Sequence, residues 1–282
     1  MLDQSCRHSA RYVGDCLRAP DRAISAAASV LIPIVVVSVR PIVVIPTRLG
    51  STRLPGKALA DIHGQPMIAH VWRRGLEADI GPVVVAGGDQ PIIDAIKERG
   101  GWAVLTDAAL PTGSDRAHAA LGLIDPDAVY DVIVVLQGDL PTINPATIRD
   151  TLEPLWQDAN CQIATLATEI HDEDELKAEQ VVKIALAIRP GHFIGRAIYF
   201  SRTIIPWGTG PYYHHVGLYT YRRDALNQYI SLPRGVLEER ENLEQLRALE
   251  AGIRIDAKVV STEPLGVDTS ADLERAREIL KP

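Results

Sequence analysis

The run Pro41-Ile42-Val43-Val44-Ile45 passes without a spacer into Pro46-Thr47-Arg48-Leu49-Gly50-Ser51-Thr52-Arg53-Leu54-Pro55-Gly56-Lys57. An unbroken β-branched stretch reads as a strand buried on both faces, which belongs in a parallel sheet covered by helices. The segment after it has the composition of a phosphate-wrapping loop. Gly50 and Gly56 let the backbone come close to a ligand and turn N–H groups inward. Arg48, Arg53 and Lys57 add charge-assisted donors suited to a polyphosphate. The spacing fits neither the P-loop of ATPases nor the glycine fingerprint of dinucleotide-binding folds.

Val- and Ile-rich strands then alternate with helical patterns, so the chain reads as α/β: a three-layer, mostly parallel sheet with helices on both faces. The patterns predict helices over 66–78, 91–99, 145–158, 238–251 and 270–280, with Asp89 placed to cap the second. Strands are predicted over 82–86, 102–105, 132–136, 161–168 and 254–260. Between them, 181–188, 197–200 and 216–222 read as strands without long helices between them. That points to an antiparallel extension of the sheet, a usual place for a subunit interface.

The chain has 282 residues, 46% of them hydrophobic, and a net charge of −7. A net acidic surface argues against nucleic acid or an anionic membrane as partner, so the cations of the first loop serve a small local anion. Cys6, Cys16 and Cys161 lack metal-ligand spacing, and three thiols cannot all pair, which fits a reducing cytoplasm. Residues 1–38 differ from the rest: Arg7, Arg11, Arg18 and Arg22 precede an apolar stretch interrupted by Pro33. They read as an extension outside the fold, disordered or non-native, although basic-then-apolar order also suits a targeting segment. No segment reads as a stable membrane span. Residues 39–282 are expected to form one domain.

Gln137-Gly138-Asp139 follows the strand over 132–136. Ligands of open α/β sheets bind at those carboxyl ends, so Asp139 should face the same crevice as the loop after the first strand. A carboxylate beside a polyphosphate calls for a bridging Mg²⁺; a turn cap is the simpler alternative. In Gly266-Val267-Asp268-Thr269-Ser270, Thr269 or Ser270 caps the last helix, which leaves Asp268 as the second metal-ligand candidate. Thr112-Gly113-Ser114-Asp115-Arg116 reads as a turn entering a helix, with Ser114 available to a base edge and Arg116 to an anion. Period-two spacing puts His215, Gly217 and Tyr219 on one strand face, suited either to polyol recognition or to a half-buried interface.

Together these segments, with Tyr199-Phe200-Ser201-Arg202, Ile205-Pro206-Trp207 and Glu241-Asn242-Leu243-Glu244-Gln245-Leu246-Arg247, resemble the 3-deoxy-manno-octulosonate (Kdo) cytidylyltransferase, or CMP-Kdo synthetase, family from about Pro41 to Leu280. The resemblance implies a glycosyltransferase-A-like nucleotidyltransferase, usually a cytoplasmic homodimer. Such an enzyme transfers CMP from CTP to Kdo, a 2-keto-3-deoxy sugar acid of lipopolysaccharide biosynthesis, with Mg²⁺ as cofactor. It implies that Arg48, Leu49, Gly50, Ser51, Arg53 and Lys57 hold the triphosphate and that Ser114 helps place the cytidine. Arg116, Gln137, His215, Tyr219, Glu244 and Gln245 would form the sugar pocket. Asp139 and Asp268 would hold magnesium, and Lys57, Arg48 and Asp139 would carry catalysis.

The chain departs from the family pattern at Leu140, where an acid is usual, and at Ala86-Gly87-Gly88-Asp89. Gln180 and the short segment between Trp207 and His215 also differ. These changes leave room for another sugar acid, such as an 8-amino analogue, a sialic acid or a spore-coat sugar. A non-catalytic nucleotide-binding homologue is the remaining alternative.

Overall fold

The β-branched run does form a strand: β1 (Pro41–Thr47) has five consecutive buried residues. The computed structural model describes residues 39–51 and 53–282; the expectation for residues 1–38 lies outside them. After β1 come a short hairpin of β2 (Asp61–Ile62) and β3 (Gln65–Pro66), then α1 (Met67–Glu77), β4 (Val83–Gly87), α2 (Gln90–Lys97) and β5 (Trp102–Leu105). Next are α3 (Gly113–Ile124), β6 (Val132–Val135), α4 (Pro145–Asp150), α5 (Glu153–Gln157), β7 (Ile163–Ile170) and α6 (Glu173–Lys177). The chain continues through β8 (Lys183–Ala187), β9 (Ile194–Ser201), β10 (Tyr212–Arg222), α7 (Arg223–Ser231) and α8 (Val236–Glu241). It closes with α9 (Gln245–Glu250), β11 (Ile255–Val260) and α10 (Ser270–Ile279).

Nine strands form one mixed sheet in the order β5-β4-β1-β6-β10-β7-β11-β9-β8. β5, β4, β1 and β6 pair in parallel, and β10 enters antiparallel between β6 and β7. β8 and β9 add the expected antiparallel end. β8 also pairs with β10 where Lys183 meets His214, so this end of the sheet curls back on itself.

Period-two alternation sorts the core onto two faces. Ile42 and Val44 of β1 pack with Ala117 and Ala120 of α3, Leu226 of α7 and Leu246 of α9. Val43 and Ile45 pack on the other face with Ile68 of α1, Ile92 and Ile96 of α2, Ile148 of α4 and Leu155 of α5. A satellite cluster joins Ile62 and Met67 to Val267, Leu273 and Ala276, docking α10 against the hairpin.

Four expectations are corrected. The helix over 145–158 is two short helices, because Pro154 has no N–H to carry one ladder through. The helix over 238–251 breaks where Asn242 takes a left-handed conformation, φ 54°. Asp89 stands at the N-cap of α2 but makes no side-chain cap there. α7 arises where no helix was expected, following directly on β10.

Asp125, 3% exposed, secures the end of α3. Its carboxylate accepts the Val129 N–H at 2.8 Å and the Tyr130 N–H at 3.1 Å, and it pairs with the Arg223 guanidinium of α7. Burial opposes the charge, but the two N–H donors and Arg223 outweigh it and hold the Asp125 carboxyl below the usual range. A depressed carboxyl stabilises the fold above its unfolded pKa of about 4, and that contribution fades as pH falls through the folded value. Asp125→Ala should therefore lower unfolding free energy by about 3 kcal/mol at neutral pH and by less near pH 3. Urea titrations at the two pH values check this.

Candidate active site

The carboxyl ends of β1 and β6 and the strand-to-helix turns beside them enclose an open cavity of about 460 Å³. The loop after β1 forms one wall. It folds on itself through N–H bonds from Ser51 and Gly56 to the Leu49 carbonyl, at 2.8 and 3.2 Å. Gly56 has φ 69°, the left-handed region where glycine is unstrained, and it turns the chain into the single 3₁₀ turn Lys57–Leu59. Leu49 N–H donates to Asp89 Oδ2 at 2.7 Å, so the side chain expected to cap α2 instead fastens this loop to the end of β4.

Lys57 is the centre of the site. Its ammonium donates to Asp139 Oδ2 at 2.8 Å, Asp268 Oδ1 at 3.0 Å and the Val267 carbonyl at 3.1 Å. Arg53 adds a second cation, 2.9 Å from Asp268 Oδ2. The backbone fixes both acids in this arrangement, since Val267 N–H donates to the Asp139 carbonyl at 2.9 Å. Burial alone would depress the Lys57 pKa, but Asp139 and Asp268 outweigh it and raise it. Thr269 caps α10 in a capping box with Asp272, so Asp268 is not the cap. Residues 82 and 211 positions away from Lys57 thus meet at one nitrogen.

Arg48, Gly50, Ser51, Arg53, Lys57, Arg116, Gln137, Asp139 and Asp268 all line the cavity. Glycine is required at two close approaches. A Cβ on Gly138 would lie 2.9 Å from the Pro46 carbonyl, and one on Gly88 would lie 2.9 Å from Arg116 Nη1. The second contact accounts for Gly88: it leaves space for the Arg116 side chain. Arg116 is held at the cavity floor by Thr106 Oγ1 at 2.6 Å and the Asp107 carbonyl at 2.9 Å. Burial, then the charge of Arg48, lowers its pKa.

The remaining expected site residues are not brought to the cavity. Leu49 directs its side chain toward the apolar layer. Ser114 is buried on α3 with its hydroxyl 3.1 Å from that of Tyr221 and does not line the cavity. His215 and Tyr219 share a face, as the spacing predicted, but they are buried in an aromatic row. Phe200, His215, Tyr219, Tyr221 and Tyr229 follow one another at centroid spacings of 4.9, 5.5, 5.9 and 6.1 Å. His215 Nε2 lies 3.0 Å from Thr165 Oγ1, and burial pushes its pKa down to about 3, leaving it neutral. Gln245 is buried too. Half-buried Glu244 has its pKa raised by burial. These four residues build the wall behind the cavity on the α3 side.

Leu140, the departure from an acid, belongs to the apolar layer with Val43 and Ile45 and does not line the cavity. The residues that the sequence reading missed are Leu110 and Pro111, which line the cavity beside the expected turn at Thr112 and Gly113, and Asp89 as the fastener of the loop. A usable signal for Asp89 was its place just after β4, beside the end of β1 in a parallel sheet. Tyr199, Ser201 and Arg202 are explained by packing: Glu241 accepts from the Ser201 hydroxyl at 2.9 Å, the Arg202 N–H at 3.2 Å and the Tyr199 hydroxyl at 3.4 Å.

A family model described as cytidylyltransferase matches residues 42–255, which include the cavity-lining residues apart from Asp268 and the sheet as far as the start of β11. The chain belongs to the cytidylyltransferase family. It is 56% identical over 241 residues to the 3-deoxy-manno-octulosonate cytidylyltransferase of Paramagnetospirillum magneticum, covering 86% of this chain and 98% of that protein. It is 54% identical over 240 residues to the protein of that name in Rhodospirillum rubrum, covering 85% and 95%. A solved structure of CMP:2-keto-3-deoxy-manno-octonic acid synthetase complexed with CTP superposes with a TM-score of 0.78 at 38% identity, covering 86% of this chain and 98% of that one. A glucose-1-phosphate thymidylyltransferase from Bacillus anthracis shares the fold, with a TM-score of 0.57 at 18% identity, covering 85% and 94%.

Within this cytidylyltransferase fold, the bond to Asp89 should set the rigidity of the loop after β1. Asp89→Ala removes the acceptor of the Leu49 N–H. Amide exchange at Leu49 should quicken by about tenfold or more, in line with a charged hydrogen bond of about 1.5–3 kcal/mol. Hydrogen-exchange mass spectrometry over residues 48–51 measures this, and unchanged protection would show that the loop is held by other contacts.

Proposed function

We propose that this chain transfers CMP from CTP to the anomeric hydroxyl of 3-deoxy-manno-octulosonate and releases pyrophosphate. The observation that carries the reading is the meeting of Lys57, Asp139 and Asp268 at one point of the cavity. Two carboxylates and three cations lining one cavity make a site for a polyanion together with a cation.

The reaction forms one bond, from the sugar oxygen to the α-phosphorus, and breaks the bond to the pyrophosphate leaving oxygen on the opposite side. The hydroxyl proton is lost in the process, and the protein forms no covalent intermediate. Positioning and charge neutralisation supply the catalysis. Lys57, Arg53 and Arg48 bind the triphosphate and stabilise charge that builds on the departing pyrophosphate. Gly50 offers its N–H to it, and Ser51 its hydroxyl. Arg116 and Gln137, at the floor, orient the sugar acid. His215, Tyr219 and Gln245 support this side from the buried wall, and the neutral His215 adds no charge to it.

Asp139 and Asp268 fit a divalent cation: they are hard oxygen donors converging on a point now held by the Lys57 ammonium. Mg²⁺ bound there would offset phosphate charge and raise the acidity of the attacking hydroxyl. On nucleotide binding, Lys57 and Arg53 would exchange their carboxylates for phosphate oxygens, leaving both acids to the cation.

The cytoplasm suits this reading, with Cys161 a buried free thiol and, among the described residues, no helix long and apolar enough to cross a membrane. A homodimer suits it too. Phe193, Ile198, Ile204 and Trp207, the last 99% exposed, lie on or beside the antiparallel end of the sheet.

Pyrophosphate release with CTP, Mg²⁺ and Kdo tests the assignment, with other sugar acids run in parallel. Asp139→Asn and Lys57→Ala should each lower kcat by about a hundredfold or more. CTP binding without turnover on any sugar acid would overturn it. In sedimentation, the protein should run as a dimer that Ile198→Glu shifts toward monomer; a monomeric wild type would refute the assembly.

A further inference from the structure

Outside the cavity, three chain segments bring metal-ligating atoms together. Glu175 comes from α6, His214 from β10, and Glu263 from the segment between β11 and α10. His214 Nδ1 lies 3.1 Å from Glu175 Oε1 and 3.1 Å from Glu263 Oε2. All three candidate ligand atoms lie within 4.8 Å of one another.

Each part is held in place by the fold. Asp172 caps α6 by accepting the Glu175 N–H at 3.0 Å. His214 is paired on both edges, with Thr168 of β7 and Lys183 of β8, and its side chain is only 13% exposed. Among the described residues neither Glu175 nor Glu263 has a lysine or arginine partner, while neighbouring Glu173 is paired with Lys177 at 2.9 Å.

One imidazole nitrogen therefore faces two carboxylates. Its single N–H can make one good hydrogen bond, so a shared proton leaves one of the acids poorly matched. A metal ion satisfies all three atoms at once. Tetrahedral zinc with ligand distances of about 2.0–2.2 Å sets its ligand atoms roughly 3.3 Å apart. The two spacings of 3.1 Å are close to that edge.

We infer that Glu175, His214 and Glu263 form a second metal site, selective for Zn²⁺ and similar divalent transition ions. The imidazole nitrogen makes the set a poor one for Mg²⁺ or Ca²⁺, which take oxygen. Two carboxylates and a neutral imidazole balance a divalent ion, and the exposure of Glu263 leaves a fourth position open to water. The bound ion clips α6, β10 and the segment leading to Asp268 to one another. Four residues separate Glu263 from Asp268, so the site anchors the strand-to-helix connection that delivers one acid to the main cavity.

Co²⁺ reports directly on such a site, because low-coordinate cobalt absorbs strongly in the visible region. The metal-stripped full chain is titrated with Co²⁺ at about pH 8, above the ordinary imidazole pKa of about 6.5, with Mg²⁺ in excess to occupy the main cavity. The expected result is a visible band that saturates at a single ion per chain and is displaced by Zn²⁺. The band should be lost in His214→Ala and in Glu263→Gln and retained in Asp139→Asn. Glu263 is exposed, so its variant reports on binding without a risk to folding. No band in the wild type, a band that survives both His214→Ala and Glu263→Gln, or a band lost only in Asp139→Asn would each overturn the inference.

Discussion

The Lys57 ammonium, held between the carboxylates of Asp139 and Asp268, is the contact on which the site depends. Two acids at the carboxyl end of a parallel sheet repel unless a cation lies between them. Here the cation comes from the same chain, at the end of the loop after β1. The pair of acids is in turn fixed by the backbone bond from Val267 to Asp139. One charge thus draws together the first strand, the central strand β6 and the segment entering the last helix. The same charge is the one that a polyphosphate would call on, so assembly of the cleft and binding of such a ligand would use a common set of groups.

The rest of the fold keeps that point in register. Parallel pairing of β4, β1 and β6 brings the turns after them side by side, because all three strands end on the same edge. Asp89, after β4, takes the Leu49 N–H, and Gly88 makes space for Arg116 beneath it. The insertion of β10 beside β6 brings the aromatic row from His215 to Tyr229 behind the cavity. Departures from the family pattern find places in this packing. Leu140 completes an apolar layer, and Gly87 gives room to α2, since a Cβ there would lie 2.8 Å from Ile93 Cδ1.

Much of the site was legible in the residues. Arg48, Gly50, Ser51, Arg53 and Lys57 form one contiguous loop, and Asp139 follows a strand whose burial is plain from Val132 to Val135. What was not legible depended on which way a side chain turns. Ser114 faces Tyr221 because the first turn of α3 packs on the sheet. His215 and Tyr219 are buried because α3, α7 and α9 cover the sheet face on which they lie. Helix lengths failed at Pro154 and Asn242, where an apolar period continues through a backbone that cannot.

Local chemistry, then, settled the class of fold and the glycine–cation loop that lines the cavity, because buried β-branched runs and such loops carry their meaning in a few adjacent residues. Only the three-dimensional chain decided that Asp139 and Asp268 share one nitrogen, that Asp89 ties the loop rather than capping a helix, and that Glu175, His214 and Glu263 face one another. Those are contacts across tens to hundreds of residues. Strand order and register create them, and no periodicity in a linear sequence records where two distant side chains come to rest.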